Sequence, residues 1–244
     1  MPTAAEIAHL DEVIAAAWRA PVVEQLDGWE LRYGYGLTGR ANSAWPRADR
    51  GRLRLEQKVA RVEAFYREHG LQPKLQLSPA SEPAGLDAEL ARRDWVRGTD
   101  VLIETADVPT ATVPDRDVDL LDRPDDLWLD VWLSIRAFPR DRADRLLPML
   151  GGGSGTVFAR VGEVAVGRAS LHDGWAAITC MATVPEARRR GAGRAVLDAL
   201  RAWAGERRAG LCLNVDAANE PARRLYEGAG FAPIYPYWYR TAPA

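Results

Sequence analysis

The chain has 244 residues, of which 47% are hydrophobic, so it is long enough to bury a core in one large domain or two smaller ones. Its 32 basic and 34 acidic side chains leave a net charge of −2, which argues against a general nucleic-acid binder. It has no apolar run of membrane-spanning length, no recognisable signal peptide and no metal-ligand cluster among its two cysteines and three histidines, so we expect a cytoplasmic protein without metal or membrane partners.

Apolar periodicity and turn residues predict alternating helices and strands in the first half of the chain. A hairpin is expected over residues 22–35, because Asp27-Gly28 favours a tight turn between adjacent strands. The other elements predicted there are helices at 4–20, 53–69 and 85–93 and strands at 74–77 and 101–104. The stretch 108–117 has proline, threonine and no apolar periodicity, which predicts a linker between units at 1–110 and 117–244.

The second half of the chain ends in an order of elements similar to that of the first. Its predicted elements are helices at 125–138, 193–205 and 221–228 and strands at 156–160, 164–171, 175–184, 211–215 and 235–239. The glycine-rich stretch 151–155 is either a flexible connection or a lid. In each half an amphipathic helix ended by glycine precedes a strand, a proline-containing loop and a short helix. This weak repeat predicts an α/β protein built from two related units.

The segment 181–194 combines the end of a strand, a loop rich in arginine and glycine, and a helix that begins at or just after Gly193. Main-chain N–H groups at a helix start lack intrahelical partners and carry the positive end of the helix dipole. Gly191 and Gly193 let that backbone approach a phosphate closely. The loop therefore predicts a pyrophosphate site. A Rossmann site is disfavoured because Val196 stands where a third glycine is needed, whereas a solvated arginine face or a nucleic-acid patch stays open.

Two motifs in this half resemble those of the GNAT N-acetyltransferases. Residues 188–193, Arg-Arg-Arg-Gly-Ala-Gly, match the signature (Q/R)-x-x-G-x-(G/A), and residues 219–231 match N-x-x-A-x-x-L-Y-E-x-x-G-F. The resemblance covers roughly residues 117–240, whereas the N-terminal half is similar only in element order and has no counterpart of the glycine loop. It implies a tandem GNAT protein with a degenerate N-terminal unit, in which a mixed, mostly antiparallel sheet is flanked by helices.

The resemblance also implies acetyl-CoA as cosubstrate. The strand before the loop pairs with the pantetheine arm, the loop holds the pyrophosphate, and the Ala182 amide polarises the thioester carbonyl. The residues implied to bind acetyl-CoA are Met181, Ala182, Thr183, Val184, Arg188, Arg189, Arg190, Gly191, Ala192, Gly193, Arg194, Asn219 and Tyr226. Tyr226 is expected to donate a proton to the CoA sulfur, since its reference pKa is about 10, although it is also a plausible core aromatic. Asn219 caps a helix, touches acetyl-CoA, or does both.

The acceptor and the general base are not readable from the sequence. Carboxylates at Glu163, Asp173 and Asp216 and the imidazole of His172 are candidate bases, each also typical of a solvated turn. Trp45 and Trp175 are candidates for the acceptor pocket, and an acetyl-Cys180 route is disfavoured because buried thiols are commonly structural. We expect an N-acetyltransferase, monomeric or homodimeric, in which an unidentified amine attacks acetyl-CoA directly in a ternary complex. A non-catalytic acyl-CoA-binding module is the alternative, and a nucleic-acid-associated protein the third hypothesis.

Overall fold

The last strand of the chain belongs to the same compact unit as the N-terminal half. In this computed structural model, unit 1 consists of Met1–Ile103, Asp216–Ala218 and Ile234–Ala244, and unit 2 of Glu104–Val215 and Asn219–Pro233. The division departs from the predicted ranges 1–110 and 117–244 chiefly at the last strand. The residues that the structure describes are 2–108, 115–136, 138, 140–153 and 155–243. Most of the predicted linker, residue 137 of a predicted helix and residue 154 of the glycine-rich stretch therefore lie outside the described residues.

The described helices and strands follow the predicted order closely. The helices are α1 (Ala4–Ala16), α2 (Leu55–Glu68), α3 (Leu86–Arg92), α4 (Asp126–Arg136), α5 (Ala143–Leu150), α6 (Ala192–Glu206) and α7 (Glu220–Glu227). The strands are β1 (Val22–Leu26), β2 (Trp29–Tyr33), β3 (Ala44–Pro46), β4 (Lys74–Leu77), β5 (Val96–Arg97), β6 (Val101–Ala106), β7 (Asp119–Leu121), β8 (Thr156–Val161), β9 (Ala165–His172), β10 (Trp175–Thr183), β11 (Gly210–Asp216) and β12 (Ala232–Thr241). Among the described helices, none is both long enough and apolar enough to cross a membrane.

The sheet of unit 1 has the strand order β1-β2-β3-β4-β12, and β5 pairs with the end of β12. β3 and β4 run parallel, whereas the other pairs are antiparallel. The predicted hairpin is confirmed: Asp27 and Gly28 have φ of 49° and 95°, the positive values that a tight I′ turn needs. The unit's core is made by apolar side chains of these strands and of α2 and α3, among them Trp29, Val62, Tyr66, Leu75 and Leu90.

Asp11 on α1 is a buried carboxyl group of unit 1, 6% exposed. It accepts hydrogen bonds from the Ser78 hydroxyl (2.6 Å) and the Tyr235 hydroxyl (2.8 Å). Burial outweighs these bonds and raises the pKa of Asp11 from 3.8 to about 6. Between these two pKa values, the Asp11 carboxyl group is therefore protonated in the folded chain and ionised in the unfolded chain.

This difference predicts that the carboxyl group destabilises the fold as pH rises. Between about pH 4 and pH 6 the contribution of Asp11 to the free energy of unfolding should fall by about 3 kcal/mol, and it should stay level above pH 6. Urea unfolding of the wild type and of Asp11→Asn across this range measures it, because the asparagine has no such proton to lose. A difference between the two proteins that is the same at pH 4 and pH 7 would contradict the prediction.

The sheet of unit 2 has the order β11-β10-β9-β8-β7. It is antiparallel except for the β10–β11 pair, which is parallel. Trp128 and Trp132 of α4 are fully buried and stack on one another with ring centroids 6.1 Å apart. Helix α6 lies close against β9 at Gly167, where a Cβ would come within 2.7 Å of the Val196 side chain. The mixed sheet flanked by helices that the sequence predicts is therefore confirmed in this unit.

Candidate active site

Strands β10 and β11 separate before β10 ends. Their parallel ladder covers only Trp175–Ile178, whereas the ladder between β10 and β9 continues to Thr183. A bulge between Thr179 and Ala182 shifts the register, and Cys180 within it has a positive φ of 58°. The strand residues predicted to contact acetyl-CoA, Met181–Val184, thus lie beyond the last residue paired with β11. Their side of the sheet is open to an added extended ligand.

The loop after β10 presents an unusual run of main-chain donors. None of the six N–H groups of residues 189–194 donates a hydrogen bond to a described residue. Arg189 and Gly191 have φ of 58° and 86°, and Gly191 is the N-cap of α6. The helix thus begins at Ala192 rather than at or after Gly193, because the left-handed Gly191 turns the chain into it. An anion placed before this turn would meet several donors and the positive end of α6.

The arginines of the loop divide into two pairs. Arg188 and Arg194 hold the loop to its surroundings: Arg188 Nε donates to the Thr183 carbonyl (3.2 Å), and Arg194 Nε pairs with Asp198 Oδ2 (2.7 Å). Arg189 and Arg190 are exposed, and neither pairs with a carboxylate in the described part of the chain. Sequence reasoning missed Arg116, whose guanidinium donates to the Arg190 carbonyl and adds a positive charge beside Gly191.

Gly193 fits against the end of β10 only because it has no side chain. A Cβ there would lie 2.9 Å from Thr183 Oγ1, closer than real Cβ contacts come. The first turn of α6 is therefore held directly against the last residue of the strand. This close approach puts the open strand edge and the open loop amides side by side, as a ligand with an amide arm and a diphosphate would need.

Tyr226 lies on α7 in a largely apolar setting. It is 7% exposed, its ring meets the Phe231 ring edge-on with centroids 5.9 Å apart, and its hydroxyl has no hydrogen-bond partner among the described residues. Burial, with a smaller contribution from the Glu104 charge, raises the pKa of Tyr226 to about 12, and Arg136 opposes this shift. The expectation of a pKa near 10 is therefore corrected, since a buried phenol holds its proton more firmly.

Comparison with known proteins now places the chain in a family. The family model described as "Probable histone acetyltransferase Rv0428c C-terminal" matches residues 4–240. The chain belongs to this family. A relative from Mycobacterium tuberculosis, named "Probable histone acetyltransferase Rv0428c", is 34% identical over 211 residues, which are 83% of this chain and 63% of that protein. The chain thus spans less than two thirds of the length of that relative.

Other relatives and structural neighbours cover nearly the whole chain. The Bacillus subtilis protein named "Uncharacterized N-acetyltransferase YobR" is 29% identical over an alignment of 253 positions, which covers 96% of this chain and 98% of its own length. A solved GCN5-related N-acetyltransferase from Kribbella flavida has the same fold, with a TM-score of 0.68 at 15% identity over 100% of this chain and 97% of its own. A tandem GNAT protein of the clavulanic acid pathway has a TM-score of 0.58 at 14% identity, over 96% and 88%. The predicted GNAT family and fold are confirmed.

Asn219 acts as a helix cap in this member of the Rv0428c C-terminal family. Its Oδ1 accepts a hydrogen bond from the Ala222 amide (3.3 Å) at the start of α7. A contact with acetyl-CoA stays a prediction. The cap fixes the helix that carries Tyr226, so Asn219 has a structural role in either case.

The carboxylates considered as bases from the sequence lie in exposed positions. Glu163 and Asp173 are in the hairpin turns next to β9, and Asp216 accepts a hydrogen bond from the Ala218 amide (2.9 Å). His172 Nε2 lies 3.2 Å from Ser170 Oγ. Sequence reasoning missed Glu104 on β6, which is 3% exposed and whose pKa is raised by burial. No local pattern in the sequence of β6 marks Glu104 as buried.

The two tryptophans considered for an acceptor pocket both pack against protein groups. Trp45 is 6% exposed and lies in unit 1 between the guanidinium groups of Arg32 (5.3 Å) and Arg47 (4.7 Å). The Trp175 ring covers Gly210, where a Cβ would come within 3.1 Å of it. Cys180 is a buried cysteine outside any disulfide. These contacts describe structural roles, and an acceptor contact for either tryptophan stays a prediction.

In unit 1, protein groups already accept hydrogen bonds from the amides of the loop between β3 and α2. Asp27 Oδ2 accepts from the Arg52 and Leu53 amides (3.1 and 3.0 Å), and Glu82 Oε2 accepts from the Asp49 amide (2.8 Å). Carboxylates of the protein thus stand where an anionic ligand would otherwise meet the loop.

Proposed function

We propose that the chain is an acetyl-CoA-dependent N-acetyltransferase that transfers an acetyl group to an amine. This proposal is carried by the run of six amides at residues 189–194, which find no acceptor among the described residues and lie next to the open edge of β10. The donor set fits a diphosphate, because N–H groups at a helix start and nearby guanidinium groups bind phosphate oxygens well. The printed names of the relatives from B. subtilis and M. tuberculosis, both acetyltransferases, agree with it.

In this proposal each group of the site has one task. The loop amides, with Arg189, Arg190 and Arg116, hold the diphosphate, and the backbone of Met181–Val184 pairs with the pantetheine amides. When bound, acetyl-CoA supplies the acetyl group as a reactive thioester. The protein fixes the thioester relative to the amine, so positioning provides much of the rate enhancement. Ala182 pairs with Val166 of β9, so its amide belongs to that ladder. The Thr183 amide points away from β9, past the separation of β10 from β11, where it can stabilise charge on the carbonyl oxygen.

Tyr226 acts near the sulfur as a proton relay. The nitrogen–carbon bond forms as the carbon–sulfur bond breaks and its electron pair leaves on sulfur. The phenol passes its proton to the sulfur while it receives one from the new amide nitrogen. A relay fits a pKa of about 12 better than outright donation does, because no tyrosinate has to persist.

We further propose that unit 1 is a degenerate GNAT unit that binds no acetyl-CoA. The loop between β3 and α2 supports this, since Asp27, Asp49 and Glu82 take up its amides. Carboxylates at these positions also repel a diphosphate. One acetyl-CoA per chain is therefore the expected stoichiometry.

Thermal shift and CoA release test the proposed function together. Acetyl-CoA at about a hundred times its Kd should stabilise the fold by about 2.7 kcal/mol, whereas acetyl-pantetheine, which lacks the diphosphate, should stabilise it far less. Adding a panel of primary amines should release CoA thiol. Absence of any stabilisation by acetyl-CoA would contradict the proposal.

Two other outcomes point to the alternatives. Stabilisation without CoA release on any amine would favour a non-catalytic acyl-CoA-binding module. Salt-sensitive retention on nucleic acid, with no response to acetyl-CoA, would favour a nucleic-acid-associated protein.

A further inference from the structure

Glu104 on β6 is a carboxylate buried beside α7. Its side chain is 4% exposed, and no described residue donates a hydrogen bond to it. Arg223 Nε lies 4.0 Å from Glu104 Oε1, which is too far for a hydrogen bond, although it compensates part of the charge. Neither Glu104 oxygen is among the fully buried polar atoms that lack a partner, so an incoming donor can reach the carboxylate. Because the group is poorly solvated, such a donor would be favoured there.

Glu104 lies next to the face of α7 that carries Tyr226. Arg223, Tyr226 and Glu227 share that face because they are spaced three and four residues apart. The Arg223 charge lowers the pKa of Glu104, and the Glu227 charge raises it. The Glu104 charge in turn raises the pKa of Tyr226, whereas Arg136 of α4 lowers it. Burial is the largest cause of the raised Glu104 pKa. A raised pKa makes this carboxylate a stronger base than the exposed ones.

We propose that Glu104 is the base that takes a proton from the acceptor, and that the acceptor therefore enters as a primary ammonium group. This inference rests on the proposed function and adds a catalytic residue to it. The ammonium group gives one proton to the Glu104 carboxylate, and the resulting amine attacks the thioester carbon. Its second proton reaches the sulfur through Tyr226, and Glu104 later returns its own proton to solvent. Charge and protons balance, and the incoming ammonium group is the missing hydrogen-bond donor of the buried carboxylate.

The test compares Glu104→Gln, Glu104→Asp and the matched control Glu220→Gln. Glu220 carries the same charge change on α7, but it is 71% exposed and pairs with Arg224 (2.9 Å). Each protein is first titrated with acetyl-CoA, which shows whether it folds and binds. CoA release is then followed from pH 6 to pH 10 with n-butylamine, putrescine, spermidine, glycinamide and a short lysine peptide.

The proposal expects Glu104→Gln to bind acetyl-CoA normally and to release CoA about a hundredfold more slowly at neutral pH. Its rate should rise about tenfold per pH unit toward the amine pKa of about 10, since only amine that is already neutral reacts. The wild type should level off at much lower pH, Glu104→Asp should keep a wild-type profile at reduced rate, and Glu220→Gln should match the wild type. Equal rates, or a slow Glu104→Gln with a wild-type pH profile, would overturn the proposal.

If the wild type acetylates none of these amines, a second measurement tests whether Glu104 binds an ammonium group. The same amines are then titrated into the complexes with desulfo-CoA. Binding of an ammonium probe that Glu104→Gln loses and Glu220→Gln keeps supports the proposal, whereas equal binding or none overturns it. Failure of the wild type to bind acetyl-CoA at all would overturn the proposed function, and normal acetyl-CoA binding separates that case from failure of the Glu104 proposal alone.

Discussion

Tyr226→Phe is expected to lower CoA release by about a hundredfold to a thousandfold and to leave the affinity for acetyl-CoA nearly unchanged. The change removes only the hydroxyl, which has no hydrogen-bond partner among the described residues, so the edge contact with Phe231 and the packing of α7 should persist. Steady-state release of CoA thiol gives the rate, and calorimetric titration with acetyl-CoA gives the Kd.

Tyr237→Phe is the matched control for this variant. Tyr237 is a buried tyrosine of unit 1 that is 2% exposed, and its ring meets Tyr239 edge-on with centroids 5.7 Å apart. Loss of the Tyr237 hydroxyl should leave CoA release at the wild-type level. A Tyr226→Phe protein that is as fast as the wild type would remove Tyr226 from the mechanism.

Gly191→Val is expected to weaken acetyl-CoA binding by at least about tenfold. Gly191 has a φ of 86°, and a β-branched residue held there costs about 1–3 kcal/mol. The new Cβ would also lie 3.3 Å from Arg116 Nη2. Relief of this strain rotates the peptide units of the loop, so the amides of residues 189–194 no longer converge on one anion. Calorimetric titration with acetyl-CoA measures the loss.

Gly174→Val is the control that distinguishes the effect of backbone strain from the effect of disturbing the loop at residues 189–194. Gly174 also has a left-handed φ, 78°, but it lies in the turn between β9 and β10, and a Cβ there would meet nothing within 4 Å. The two variants should lose similar thermal stability, and only Gly191→Val should lose acetyl-CoA affinity. Equal affinities of the two variants for acetyl-CoA would contradict the assignment of the loop as the diphosphate site.

Features encoded by a few adjacent residues were predictable from the sequence. The Asp27-Gly28 hairpin and the glycine loop before α6 both depend on backbone conformations that glycine favours, so local composition reveals them. The start of α6 was placed late, because Gly193 was taken as the turn residue whereas Gly191 adopts the left-handed conformation. Helix α5 was missed because it is only eight residues long and contains Pro148.

Features that depend on distant partners were not predictable from one sequence. The pairing of β12 with β4 joins Arg240 to Leu75, and no local pattern encodes such a register. The roles of Arg116 and Glu104 follow from contacts with residues far along the chain, Arg190 and Arg223. The raised pKa of Tyr226 follows from burial, which a motif does not report.

A crystal structure with bound CoA would show which groups of the protein hold the diphosphate. We expect the diphosphate within hydrogen-bond distance, about 2.7–3.2 Å, of several main-chain nitrogens of residues 189–194, with the pantetheine arm along Met181–Val184. A diphosphate bound elsewhere, or loop nitrogens engaged by protein side chains while CoA is present, would contradict it.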